Sequence, residues 1–123
     1  MKEALIVGLG GMIGTLLRFG LGQGVSIWFE GWRFPVGTFV INIIGCLIIG
    51  VVAGIEERYQ IISSPLRPFV YTGLLGGFTT FSAFGLEGVS LMRKGLPAIA
   101  VLYVLLSVLV GLAAVWLGMR LVK

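Results

Sequence analysis

The chain has 123 residues, of which 58% are hydrophobic and 11% charged, with a formal net charge of +4. A soluble domain carries roughly 25% charged residues, so this composition excludes one and identifies an integral membrane protein with no soluble domain left over. No His and no Asp are present, and the five acids are Glu3, Glu30, Glu56, Glu57 and Glu87; metal hydrolysis and triad chemistry lack their parts, and no enzyme is expected.

Apolar runs cover residues 4–27, 35–55, 68–92 and 97–122, each near or above the ~20 residues that a transmembrane helix needs. They predict an all-α membrane protein, one four-helix transmembrane domain over residues 1–123 with three short loops. Met1-Lys2-Glu3 is too short and weakly charged for the n-region of a signal peptide, so the first run is expected to remain as a helix. It carries Gly10, Gly11, Gly14, Gly20, Gly22 and Gly24, a pattern that favours close helix packing. Arg18 lies deep in it, where an arginine near a helix centre costs about 2.5 to 3.5 kcal/mol. It reads either as a side chain snorkelling to the interface or as a fixed positive charge in a vestibule that favours anions.

The second run holds Asn42, whose amide is suited to an interhelical hydrogen bond or to an anion. Cys46 follows at mid-span; a single cysteine builds neither a disulfide framework nor a metal site within one chain, and packing is its expected role. Gly50 and Gly54 form a small-xxx-small pair.

The third run contains Gly73-Leu74-Leu75-Gly76-Gly77-Phe78-Thr79-Thr80-Phe81-Ser82-Ala83-Phe84. Glycines and hydroxyls in the middle of a span predict a helix broken in the middle. Irregular backbone at membrane depth survives only inside protein or along a polar cavity, so such breaks mark ion and substrate sites. Phe81 and Phe84 share a helical face; such pairs ordinarily pack in a core, yet the positive ring edges also suit a small desolvated anion. Glu87, one turn on, reads as a deep proton or cation site or as a hydrated interfacial carboxylate near Arg93 and Lys94. In the fourth run Tyr103 and Ser107 are spaced i, i+4 and suit a polar track beside the rings.

Basic residues flank the spans, where Lys and Arg ordinarily sit, so the positive charge calls for no nucleic-acid partner. With both termini on one side, that side holds Lys2, Arg58, Arg67, Arg120 and Lys123, against Arg33, Arg93 and Lys94 opposite. So small an asymmetry instructs orientation weakly, and insertion both ways would let two copies pair antiparallel. Four helices fill their own interior, which makes a homodimer the smallest plausible pore.

Three stretches together carry a resemblance: Gly10-Gly11-Met12-Ile13-Gly14 with Arg18-Phe19, Phe34-Pro35-Val36-Gly37-Thr38 leading to Asn42, and Gly76-Gly77-Phe78-Thr79-Thr80-Phe81-Ser82-Ala83-Phe84. In order and over the whole chain, they resemble the Fluc (CrcB-type) fluoride channels of microbes. The resemblance implies an antiparallel, dual-topology homodimer in the cell inner membrane with two pores, which passively exports cytoplasmic fluoride and protects against its toxicity. It implies that Phe81 and Phe84 turn ring edges to the ion, that Asn42 orients them and donates to fluoride, and that Arg18 stands at a vestibule. Main-chain carbonyls of Gly76 and Thr79 from both copies would hold a structural sodium ion, and Ser82, Tyr103 and Ser107 would match a polar track. Ala83 and Gly111 depart from that pattern, because family members often carry hydroxyls there. A small multidrug exporter is the alternative, but its mechanism needs a carboxylate deep in the first helix, where this chain has Arg18. A non-transporting assembly subunit would explain the glycines, although not Arg18, Asn42 and the broken span together.

Overall fold

A computed structural model describes residues 1–64 and 66–122, and in it four helical spans are long and apolar enough to cross a membrane. α1 is Lys2–Trp28 and α2 is Val36–Tyr59. The third span, Leu66–Arg93, is bent by 22° and falls into two helices: α3, residues 66–78, and α4, Phe81–Arg93. α5 is Pro97–Arg120. Lys123, one of the cations on the terminal side, lies outside the described residues.

α2 runs one turn beyond Ile55, through Glu56 and Arg58 to Tyr59. Straight-chain charged residues are good helix formers, so the loss of hydrophobicity does not end the helix. It ends at Gln60, which takes the left-handed conformation (φ 52°, ψ 31°) while its N–H still bonds the Glu56 carbonyl at 3.0 Å. The turn into α5 uses Gly95 at φ +74°, with Pro97 opening the helix, where a missing N–H costs nothing.

Two close helix pairs build the bundle. α1 packs on α3, where a Cβ on Gly14 would overlap the Leu74 carbonyl and one on Gly77 would come within 2.6 Å of the Gly11 carbonyl. α2 packs on α5, where a Cβ on Gly50 would overlap the Val115 carbonyl. Backbones at such distances gain van der Waals contact that larger residues would forbid, the main source of helix association in lipid. An aromatic cluster closes the bundle on the side of the α4–α5 turn: Tyr103 is fully buried and meets Phe34 edge to face at 5.3 Å, with Phe84 at 5.1 Å.

α3 is itself irregular. Phe69–Leu75 is π-helical and Gly76–Phe78 returns to α geometry, before Thr79 (φ −85°, ψ 162°) and Thr80 (φ −149°, ψ 116°) run extended. The break falls where the glycines and hydroxyls of the sequence place it.

Candidate functional site

An extended dipeptide in a span exposes backbone groups that an intact helix would satisfy. Asn42 meets Thr80 with both ends of its amide: Nδ2 donates to the Thr80 carbonyl at 3.0 Å, and Oδ1 accepts from the Thr80 N–H at 2.8 Å. Thr80 then caps α4, its Oγ1 accepting from the Ala83 N–H at 3.2 Å. Gly45, one turn from Asn42 on the same face of α2, leaves room for the Thr79 side chain, which a Cβ there would overlap.

These bonds redirect two donors. In an uninterrupted helix the Thr80 N–H would serve the Gly76 carbonyl and the Ala83 N–H would serve the Thr79 carbonyl. Both are taken by side-chain oxygens, so the carbonyls of Gly76 and Thr79 lose their helical donors. Arg18 Nη1 donates to the Thr79 carbonyl at 3.2 Å, which leaves that oxygen a second lone pair. The Arg18 guanidinium is thereby held against the break.

The break separates two hollows. One, of about 380 Å³, is an open, mostly apolar groove lined by Asn42, Cys46, Gly76, Thr79, Phe81, Phe84 and Ser107. The rings of Phe81 and Phe84 lie 5.5 Å apart at 39°, and Phe81 is 83% exposed. The Ser107 Oγ is buried there with no hydrogen-bond partner. The other, of about 480 Å³, is more polar and is lined by Thr15, Arg18, Gln23, Thr38, Thr80 and Ser82.

A third arrangement stands between α2, α4 and α5. Glu87 accepts from Thr38 Oγ1 at 2.7 Å through one oxygen and from the Tyr103 hydroxyl at 2.8 Å through the other. The carboxyl is therefore fixed by two donors, and it lines a hollow together with Glu30, Trp32 and Thr38.

The sequence alone places this architecture among known proteins. The family model described as CrcB-like protein, camphor resistance, matches residues 5–119. The chain belongs to the CrcB-like family. A protein of Methylobacillus flagellatus named fluoride-specific ion channel FluC is 50% identical, with 100% of this chain and 96% of the relative covered. Relatives of the same name come from Chloroflexus aurantiacus, 46% identical over 98% of this chain and 95% of the relative, and from Rhizobium etli, 42% identical over 100% and 98%.

Within this CrcB-like chain, Asn42, Phe81, Phe84 and Ser107 share the groove, together with Gly76 and Thr79. Ser82 stands apart from Ser107, in the hollow of Arg18, because α4 starts at Phe81 and turns successive side chains to different sides. Tyr103 and Ser107, grouped by their spacing, also part company: the Tyr103 ring is enclosed by Phe34 and Phe84, and its hydroxyl is spent on Glu87. Thr80 and Thr38 were not singled out from sequence. A threonine following Gly-Gly-Phe-Thr and opening a new helical run is an N-cap signal that could have found Thr80. Nothing in the sequence links Thr38 to Glu87.

Proposed function

We propose that the protein is a fluoride channel that conducts passively through two pores of an antiparallel homodimer in a bacterial inner membrane, and that it protects the cell by releasing cytoplasmic fluoride. The observation that carries this reading is the break itself, against which Arg18 is held and which gathers two carbonyls without helical donors and the exposed Phe81 within a few residues of one another. Hydrocarbon does not tolerate such a cluster, and a second copy of the chain is the cover that needs no other partner. The names of the relatives supply the ion.

Fluoride is small and strongly hydrated, so a pore must replace its water with donors that are weak enough to release it. Arg18 draws the anion into the hollow that also carries Ser82. The amide of Asn42 keeps one N–H beyond the bond it gives to Thr80, and the edges of Phe81 and Phe84 and the hydroxyl of Ser107 provide further positive partial charge along the groove. Tyr103 serves from behind, fixing Glu87. Chloride is larger, and a groove walled by two phenyl rings would exclude it by size.

Gly76 and Thr79 fit a sodium site. Carbonyl oxygens suit a hard cation, and two from each copy would supply four ligands: the Gly76 carbonyl, which has lost its helical donor, and the Thr79 carbonyl through the lone pair that Arg18 leaves. The ion would supply a fixed charge that ties the two breaks together.

The test is fluoride efflux from liposomes holding the purified protein, read with a fluoride electrode. Rapid release is expected, with none for chloride and with loss of release in Phe81→Ile. No fluoride release from well-folded protein would refute the reading.

A further inference from the structure

The groove of Phe81 and Phe84 does not end at the break. Tyr71, in the π-helical part of α3, lines it as well, and the Tyr71 hydroxyl donates to Glu56 Oε2 at 2.9 Å. Glu56 Oε1 pairs with Arg67 Nη2 at 2.5 Å. These three side chains belong to the last turns of α2 and the first turns of α3, at the end of the bundle where Arg58 Nη1 donates to the Val122 carbonyl at 2.5 Å.

A carboxylate beside the end of an anion path repels the ion that the path carries. Glu56 is only 18% exposed, so water alone screens it poorly, whereas Arg67 is 60% exposed and can meet both the carboxylate and the solvent. Of the other charges on this side among the described residues, Lys2, Glu3, Glu57, Arg58 and Arg120 are exposed, and Arg58 is engaged with the Val122 carbonyl rather than with Glu56. Arg67 is thus the guanidinium that the structure pairs with Glu56.

We propose that Tyr71, Glu56 and Arg67 form the second mouth of the anion path, opposite the hollow of Arg18, and that Arg67 acts there as a positioning residue that neutralises Glu56. The Tyr71 hydroxyl, held by Glu56, marks where the apolar groove meets the charged end. This rests on the channel reading above. It predicts that conduction depends on the sum of the charges at positions 56 and 67 rather than on the presence of either side chain.

The experiment compares fluoride efflux from liposomes for the unaltered protein, Arg67→Gln, Arg67→Lys, Glu56→Gln and the double variant Glu56→Gln/Arg67→Gln. Each is measured at low ionic strength and at about 1 M salt, where the Debye length falls to about 3 Å. Arg67→Gln is expected to slow efflux roughly threefold to tenfold at low salt, from one unscreened charge near the path. The double variant and Arg67→Lys should return to within about twofold of the unaltered protein, and Glu56→Gln should conduct at least as fast as it. High salt should narrow the difference without abolishing it, because Glu56 is only partly exposed. An unchanged rate in Arg67→Gln or a double variant as slow as that single one would overturn the proposal. If Arg67→Gln does not fold, slower efflux in Glu56→Gln overturns it equally. Failure of the unaltered protein to release fluoride would instead refute the channel reading itself.

Discussion

Replacing Asn42 with alanine removes both hydrogen bonds to the Thr80 peptide, the donor at 3.0 Å and the acceptor at 2.8 Å. The Thr80 N–H and carbonyl then stand half-buried without a side-chain partner, and each unsatisfied group costs about 1–3 kcal/mol. Relaxation back toward a continuous helix would recover part of this by returning the Thr80 N–H to the Gly76 carbonyl, which gives a net loss of about 2–4 kcal/mol for the broken conformation. At about 1.4 kcal/mol per decade, that lowers its population relative to competitors by roughly 30-fold to 700-fold. Asn42→Asp separates the two bonds, since a carboxylate accepts from the Thr80 N–H but cannot donate to its carbonyl when ionised. Efflux should therefore fall steeply in Asn42→Ala and strongly in Asn42→Asp, with a lowered thermal unfolding midpoint in detergent for both. Wild-type efflux and an unchanged midpoint in Asn42→Ala would refute the claim that this amide holds the break open.

Tyr103→Phe keeps the ring packing against Phe34 and Phe84 but removes the donor to Glu87 Oε2, and should lower stability by about 1–3 kcal/mol, read as a reduced unfolding midpoint. Gly50→Ala drives a methyl into the Val115 carbonyl across the α2–α5 contact; a backbone cannot yield as a side chain does, so a cost of about 1–3 kcal/mol and loss of folded protein in detergent are expected. Alanine at Gly85, where a Cβ meets nothing within 4 Å, is the control and should be neutral within about 0.5 kcal/mol.

The four spans were legible because each is a predominantly apolar run about as long as a bilayer is thick. Gly76, Gly77, Thr79 and Thr80 announced the break by composition, since their side chains supply the small size and the capping oxygen that an interrupted helix uses. Arg18 announced a polar site because its burial is costly wherever it goes. The partners of these residues were not legible. That Asn42 clamps Thr80, that Arg18 reaches Thr79 and that Glu87 gathers Thr38 and Tyr103 are contacts across 38, 61, 49 and 16 positions of chain. Helical periodicity puts Tyr103 and Ser107 on one face, yet it says nothing of which neighbour claims each hydroxyl. Four membrane spans, a broken third span and a charge at depth can be read from the residues in order, because hydrophobic length and backbone satisfaction are local requirements. The packed structure was needed to show that the Gly76 carbonyl loses its helical donor, because the Thr80 N–H is claimed by an amide carried on a different helix, and that Arg18 from a third helix takes up the Thr79 carbonyl.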